Sequence, residues 1–209
     1  FSKTYFSPRS YNNRYGVPLS ISNINPDDNF GVFEVGMSKF NEINKLSKLI
    51  KPHLGIITNI SEAHLENFKN IKEIAKAKSE IIYNIQKEGT IILNRDDKFF
   101  QFFRKVAKKN NIKVKTFGYS SKSDIRFASI IKKKKFFLLT VIVNRKKFSM
   151  KLNSRNKSYI MNVLSCISIL NELNLSLFKI KDFFKNKIPL KGRGDINIIN
   201  KFNKKFFLI

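Results

Sequence analysis

A histidine and a lysine follow the end of a predicted strand at a spacing that suits the binding of metal ions and phosphate groups. The strand covers residues 54–58, His64 lies in the segment after it, and Lys78 lies on the next predicted helix. Imidazole is a common metal ligand, and a lysine ammonium neutralises phosphate. The surrounding elements must therefore place both residues at one edge of a sheet.

Polar side chains follow three of the predicted strands. Glu34 comes at the end of the first, Asn59 and His64 follow the second, and Asn94 and Asp96 follow the third. Ligands of open parallel sheets gather outside the carboxyl ends of the strands. Taken singly, each signal has an ordinary explanation, because a carboxylate after a strand often caps a helix and a lone histidine is often structural. The combination indicates a site.

Residues 30–118 alternate short apolar runs with longer helical periods, a pattern typical of parallel strands joined by crossover helices. We expect the first strand to be buried and to end at Glu34 and Gly36. The predicted fold class is α/β, with a mostly parallel sheet flanked by helices. The predicted strands are residues 31–35, 54–58, 90–93 and 113–117, and the predicted helices are residues 42–50, 71–85 and 97–109.

The pattern changes after Gly118 to strand-like runs that indicate a small antiparallel β insert. These strands are predicted over residues 125–131, 136–143 and 147–152, with a hairpin turn at Asn144 and Arg145. Helices are then predicted over residues 156–171 and 177–185. Two further strands, residues 195–199 and 205–209, follow a glycine-containing boundary at residues 191–194.

The chain is strongly basic, with 41 Lys and Arg against 15 Asp and Glu and a net charge of +26. Such a charge ordinarily suggests a nucleic-acid partner. Here the excess is spread over the whole chain together with abundant Asn, Ile and Phe, which AT-rich codons produce without selection for binding. We therefore expect no nucleic-acid partner.

The hydrophobic fraction of 42% excludes a mainly disordered chain. No uninterrupted apolar run approaches the roughly 20 residues that span a bilayer, and the first residues do not follow a signal-peptide pattern. We expect a soluble, cytoplasmic protein without membrane contact. The single cysteine, Cys166, is expected to be a small core residue.

Four segments resemble, in order and spacing, the central domain of the Mur ligases, which has a P-loop NTPase-like fold. They are residues 10–19 (SYNNRYGVPL), 32–37 (VFEVGM), 58–66 (TNISEAHLE) and 75–81 (AKAKSEI). The resemblance extends through residues 93–96, Asn162 and residues 192–194. It implies a central ATPase domain over residues 1–188, followed by the hinge and first strands of a truncated C-terminal domain over residues 189–209.

The resemblance also implies an amide-bond ligase that uses ATP to convert a peptide carboxylate into an acyl phosphate, which an amine then attacks. Residues 10–19 are most similar to family members that join D-alanyl-D-alanine to UDP-N-acetylmuramoyl-tripeptide in peptidoglycan precursor synthesis. These two compounds are therefore the implied partners of a monomeric protein. The protein must neutralise charge between two anions, which magnesium and cationic side chains can do.

By the same resemblance, Glu34, His64 and Lys78 are the catalytic and metal-binding residues. Glu34 would bind the Mg²⁺ that bridges the ATP phosphates, and His64 and Lys78 would bind a second Mg²⁺. An ammonium cannot bind a cation, so the family resemblance implies that CO2 carbamylates Lys78 and makes it an oxygen ligand. Lys76 is expected to point elsewhere. Taken alone, Lys78 would be interpreted as a solvated helix lysine.

The resemblance assigns adenine to Asn162, the ATP phosphates to Arg193, and the muramoyl-peptide to Tyr11, Asn12 and Asn13. Each assignment has an ordinary alternative. An Asn inside a helix can face solvent, and an Arg between two glycines can belong to a hinge. The residues near position 11 can form a polar loop ahead of a Gly-Val-Pro turn.

The chain departs from the family pattern at three places. Ser158 stands where a His commonly precedes the adenine Asn, Asn41 stands where a Gly usually precedes Glu42, and the G-x-x-x-x-G-K-[ST] phosphate loop is missing. We interpret the chain as an internal fragment of a longer ligase, expected to be inactive and to bind ATP weakly on its own. The alternatives are another Mur-type ligase, a folylpolyglutamate-type ligase, or a non-catalytic basic protein that binds nucleic acid.

Overall fold

The computed structural model of the chain describes residues 2–62, 67–187, 197–201 and 204–208. The chain divides into two compact units, residues 1–117 and 118–209. The predicted domain boundary between residues 188 and 189 falls at the edge of a stretch outside the described residues, so it stays a prediction. No helix of the described residues is long and apolar enough to cross a membrane.

The first unit contains three adjacent parallel strands, as the sequence predicts. The register pairs Ile57 of the first of these strands with Leu93 of the second, and Leu93 with Thr116 of the third. Its elements are β1 (Thr4–Phe6), α1 (Gly16–Ser22), β2 (Phe30–Val32), α2 (Glu42–Ile50), β3 (Leu54–Ile57), α3 (Ile71–Ser79), a 3-10 helix (Glu80–Asn84), β4 (Thr90–Asn94), α4 (Phe100–Lys109) and β5 (Lys113–Gly118).

The parallel register brings the carboxyl ends of β3 and β4 to the same edge of the sheet. Residues 58–60 after β3 and residues 95–97 after β4 therefore leave the sheet side by side. The strands are held there by a core of apolar side chains from the sheet, α3, α4 and the 3-10 helix. This core includes Ile74, Ile82, Ile91, Leu93 and Phe103, all at most 2% exposed.

The strand predicted over residues 31–35 is shorter and more exposed than expected. β2 covers Phe30–Val32 and pairs in parallel with β1, and the side chain of Val32 is 57% exposed. Its apolar composition predicted a buried strand, but within the described residues β1 is its only neighbour in the sheet. Glu34 therefore lies two residues beyond the strand.

Three predicted helical features differ from the structure. Residues 16–18, expected as a turn, begin α1, where Pro18 is tolerated because the first turn of a helix needs no backbone donor. The helix predicted over residues 71–85 changes at Glu80 from α3 to the 3-10 helix. Residues 177–185 form two short 3-10 helices, Leu177–Ile180 and Phe183–Lys185.

The second unit contains the predicted antiparallel insert. Strands β6 (Ile125–Lys132), β7 (Phe137–Val143) and β8 (Lys146–Leu152) form a meander, followed by α5 (Lys157–Glu172). Asn144 and Arg145 join β7 to β8 with φ of 49° and 65°, as a two-residue hairpin turn requires. Strands β9 (Asn197–Lys201) and β10 (Lys204–Leu208) form an antiparallel pair.

The first turn of α2 is capped by a carboxylate from a different helix. Asn41, the residue before α2, has a left-handed backbone with φ of 70°, and its side chain caps no backbone N–H. Asn tolerates this conformation better than most residues, which explains how it can stand where the family usually has Gly. The Glu80 carboxylate instead accepts hydrogen bonds from the N–H groups of Asn41 (2.7 Å) and Asn44 (3.0 Å).

We expect Glu80→Gln to lower the free energy of unfolding by about 1 kcal/mol, because a neutral amide has one acceptor oxygen for the two donors and loses its attraction to the helix N-terminus. Urea denaturation of the wild-type protein and of Glu80→Gln measures the effect. Glu88→Gln, at an exposed acid outside this contact, is the matched control and should leave the midpoint unchanged. Equal midpoints for the two variants would contradict the capping role.

Candidate functional site

Lys78 reaches from the last turn of α3 to the segment that follows β3. Its Nζ donates a hydrogen bond to the backbone carbonyl of Asn59 at 3.2 Å. Lys76, two positions earlier on the same helix, is exposed, as expected for a residue that points elsewhere. The structure therefore brings together Lys78 and the end of β3, the pairing that the strand-end pattern predicts.

Asp97 is a site residue that the sequence analysis missed. Its Oδ2 accepts the N–H of Ile60 at 2.8 Å, and its Oδ1 accepts the N–H of Phe99 at 2.8 Å. Sequence reasoning singled out Asn94 and Asp96 after β4 and treated Asp97 as the first residue of the next helix. The sequence did offer one signal, because Asp97 is an acidic residue three positions after the end of β4, at the predicted edge of the site.

Burial lowers the pKa of the Lys78 ammonium below its ordinary value, because a charged amine is poorly solvated there. The negative charge of Asp97 opposes this shift without cancelling it. At a given pH, a larger fraction of Lys78 is therefore the neutral amine than for an exposed lysine. The neutral amine is the nucleophilic form of the side chain.

Glu34 and Asn12, which the sequence analysis assigned to different roles, are in direct contact. The Asn12 side chain donates Nδ2–H to Oε1 of Glu34 at 3.0 Å, and the Asn12 carbonyl accepts the N–H of Gly36 at 2.7 Å. A Cβ at position 36 would lie only 3.0 Å from Cγ of Asn12. Gly36 therefore gives Asn12 the space from which it reaches the carboxylate.

A cavity of about 520 Å³ lies beside this pair, and its size suits a small-molecule ligand. Asn12 and Asn13 are part of the lining, whereas Tyr11, 42% exposed, is not. Asn13 is also structural, since its Oδ1 accepts the N–H groups of Tyr15 and Gly16 at 3.0 Å. The lining residues are Asn12, Asn13, Arg14, Tyr15, Gly36, Met37, Ser38, Glu42, Lys45 and Leu46.

Glu42 is the acidic residue among the lining residues, and two backbone N–H groups stabilise its negative charge. Hydrogen bonds from the N–H groups of Ser38 (2.6 Å) and Lys39 (2.9 Å) lower the pKa of the Glu42 carboxyl, and the charges of Lys39 and Arg14 lower it further. Both hydrogen bonds reach Oε2, so this one oxygen of the ionised carboxylate holds the loop at residues 38 and 39. Arg14 and Lys45 supply positive charge to the cavity wall.

Three predicted site residues are not among the contacts described above. His64 and Arg193 lie outside the described residues. Asn162 is described, on α5 in the second unit, where it is exposed and its backbone carbonyl accepts the Ser165 hydroxyl at 2.7 Å. The convergence of Glu34, His64 and Lys78 on common ions therefore stays a prediction.

The family model of the Mur ligase middle domain matches residues 2–170 of the chain. The chain is 28% identical over 198 residues to the UDP-N-acetylmuramoyl-tripeptide–D-alanyl-D-alanine ligase of Rickettsia prowazekii, covering 94% of this chain and 44% of that one. It is 32% identical over 197 residues to the enzyme of the same name from Borreliella burgdorferi, covering 93% and 41%. The chain thus spans less than half the length of these curated relatives.

Solved structures have the same fold. MurF from Acinetobacter baumannii aligns with a TM-score of 0.84 at 26% identity, over 99% of this chain and 44% of that one. The MurF ligase of Thermotoga maritima in complex with ADP aligns with a TM-score of 0.80 at 21% identity, over 94% of this chain and 44% of that one. The predicted α/β fold class is therefore confirmed.

Proposed function

The chain belongs to the Mur ligase family through its middle domain, and from this premise we propose that the complete protein joins D-alanyl-D-alanine to UDP-N-acetylmuramoyl-tripeptide at the expense of ATP. The names of the curated relatives support the substrates. The observation that carries the proposal is the partly buried Lys78 amine, held against the Asn59 carbonyl at the carboxyl edge of the sheet.

The proposed reaction activates the terminal carboxylate of the tripeptide. A carboxylate oxygen attacks the γ-phosphorus of ATP, and ADP leaves. The amine of D-alanyl-D-alanine then attacks the acyl carbon, phosphate leaves, and the amine loses a proton. The first step brings two anions together, and the second builds negative charge on the tetrahedral intermediate, so catalysis rests on positioning and on neutralising charge.

Lys78 fits the role of a metal ligand only after it has reacted with CO2. In that reaction the neutral Nζ attacks the carbon of CO2, an N–C bond forms, one C=O bond becomes C–O⁻, and Nζ loses a proton to solvent. The lowered pKa of Lys78 favours the reacting form. The carbamate retains one N–H, enough to keep the hydrogen bond to Asn59.

Glu34 can also supply an oxygen ligand to a metal ion. Asn12 occupies Oε1, and none of the described residues donates a hydrogen bond to Oε2. Among the described residues, no three His, Cys, Asp or Glu side chains cluster closely enough to hold a metal ion. Glu34 would therefore act with carbamylated Lys78 and with His64, the ligand that the family resemblance adds. Bound Mg²⁺ would neutralise the phosphate charges.

The cavity beside Asn12 offers space for part of the muramoyl-peptide. Asn12 and Asn13 present amide groups on its wall, Arg14 and Lys45 suit the carboxylates of an acidic peptide, and Tyr11 lies next to it in sequence. We retain Asn162 as the adenine contact and Arg193 as the phosphate contact on the strength of the family resemblance. ATP is the proposed cosubstrate, consistent with the ADP complex of the Thermotoga maritima relative.

A coupled assay of ADP and phosphate release by the complete protein tests this function. We expect turnover only when ATP, UDP-N-acetylmuramoyl-tripeptide and D-alanyl-D-alanine are all present. Single amino acids should react with a kcat/KM at least about 100-fold lower, because they leave dipeptide-binding groups unpaired. Faster turnover with a single amino acid, or with a folate and glutamate, would instead favour another ligase. The fold alone admits this, since a Thermotoga maritima folylpolyglutamate synthase aligns with a TM-score of 0.62 at 18% identity.

A further inference from the structure

The peptide group between Asn59 and Ile60 is held from both sides by ionisable side chains. Its carbonyl accepts the hydrogen bond from Nζ of Lys78 at 3.2 Å, and its N–H donates to Oδ2 of Asp97 at 2.8 Å. The carbonyl and N–H of a trans peptide point in opposite directions from one rigid plane. Lys78 and Asp97 therefore fix the orientation of the same plane.

Asp97 is itself held in place by hydrogen bonds, so its carboxylate can fix the position of the Ile60 N–H. Its second oxygen accepts the N–H of Phe99 at 2.8 Å, and its carbonyl accepts the N–H of Phe100 at 2.9 Å, where α4 begins. Hydrogen bonds to a carboxylate are stronger than those to a neutral acceptor. The segment after β4, which contains Asp97, thus determines where the Asn59 carbonyl lies.

We propose that Asp97 is a positioning residue for Lys78, acting through the Asn59–Ile60 peptide. The inference rests on the proposed function, in which Lys78 becomes a carbamate. The atoms of a carbamate lie in one plane, and its single N–H fixes the rotation of that plane about the Cε–Nζ bond. With the N–H directed at the Asn59 carbonyl, the new carboxylate extends away from that carbonyl, where its oxygens can bind a cation.

Asp97 suits this role better than that of a metal ligand. Each of its oxygens already accepts a backbone N–H, so binding a cation would compete with the contacts that shape the loop. The two backbone N–H donors also offset part of the negative charge of Asp97. This matters because the carbamate of Lys78 would be a second anion nearby. Asp97 therefore supports an anionic Lys78 without belonging to the group that binds the metal.

The direct test is the amount of carbamate in the complete protein under ¹³C-labelled CO2, measured by carbon NMR, with the Lys78→Ala spectrum identifying the signal. Asp97→Ala should reduce carbamate occupancy about tenfold, because the peptide loses a hydrogen bond to a charged acceptor. This loss should outweigh the opposite effect of removing the Asp97 charge, which favours the ammonium form of Lys78. Asp97→Asn, less disruptive to folding, should have a smaller effect in the same direction, since one amide oxygen cannot serve both donors. Asp97→Glu, which keeps two acceptor oxygens, should recover part of the signal.

Asp28 provides the matched control, because its carboxylate also accepts a backbone N–H, that of Asn25 at 2.9 Å. Asp28→Asn should leave the carbamate signal unchanged. A wild-type signal that Asp97→Ala and Asp97→Asn leave intact would overturn the inference.

Amide hydrogen exchange separates failure of this inference from failure of the proposed function. If the wild-type protein shows no carbamate, the proposed role of Lys78 as a metal ligand is wrong, and exchange at Ile60 decides the positioning inference. Both Asp97→Asn and Lys78→Ala should accelerate exchange at Ile60, and the double variant should exchange no faster than the faster single variant. If Ile60 exchanges at the wild-type rate in Lys78→Ala, Lys78 does not help to hold the Asn59–Ile60 peptide, and the inference is overturned.

Discussion

Replacing Lys78 by alanine should reduce the kcat of the complete ligase about 1000-fold. Under the proposed function, the change removes the carbamate that would serve as an anionic ligand beside the transferring phosphoryl group, and losses of one such electrostatic contact reach this size. Asn59 also loses the donor to its carbonyl, so the segment after β3 is held from one side only. Single-turnover formation of the acyl phosphate measures the effect on the chemical step.

Chemical rescue distinguishes a lost ligand from a damaged fold. A short carboxylate such as acetate should restore part of the Lys78→Ala rate, because it can occupy the place of the carbamate. Lys76→Ala, at the exposed neighbour on the same helix, should behave as the wild type. Full activity of Lys78→Ala, without any added carboxylate, would exclude the carbamate role.

The pKa of Lys78 also gives the reaction a pH dependence. Burial places the pKa of the folded protein below that of the unfolded chain, so the unfolded chain binds more protons in the window between the two values. The contribution of this lysine to stability therefore rises as the pH increases through that window and is lost at lower pH. Because CO2 reacts with the neutral amine, carbamate and activity should both decline as acid protonates Lys78.

Glu34→Gln should reduce kcat/KM about 100-fold and raise the Mg²⁺ concentration needed for half-maximal rate. The amide oxygen can still accept the hydrogen bond from Asn12, so the variant removes charge while it keeps the contact. Activity measured across a Mg²⁺ series reports both effects.

Asn12→Ala is the complementary variant, because it removes the contact and keeps the charge. It should alter the KM for the muramoyl-peptide more than the Mg²⁺ dependence. Glu88→Gln serves as an exposed control elsewhere on the unit. An unchanged Mg²⁺ dependence in Glu34→Gln would remove Glu34 from the metal site.

Local sequence patterns predicted β3, β4 and α2 closely. Each is a short apolar or periodic run bounded by a clear break, such as Pro52 after α2 or Gly89 before β4. The exposure of β2 could not be predicted in this way. Its apolar residues fit a buried strand equally well, and burial depends on which neighbours cover them.

The contacts that organise the site join segments distant in sequence. Asp97 and Ile60 are 37 positions apart, and Asn12 and Glu34 are 22 apart. The strand-end pattern and the family resemblance identified Glu34, Asn12 and Lys78 as candidates but could not pair them. Asp97 was missed because it was taken as the first residue of the helix predicted over residues 97–109, whereas α4 begins at Phe100. Its long-range role depends on the register of β3 with β4.

The absence of a side chain at Gly36 restricts how this domain can diversify. A methyl group there would lie 3.0 Å from Cγ of Asn12, so Asn12 would have to shift while it holds Glu34. Arg14 and Lys45 are exposed on the same lining and can vary in length and charge at little structural expense. Under the proposed peptide-binding role of this cavity, a new peptide preference should therefore arise through these two positions, without change at Glu34 or Lys78.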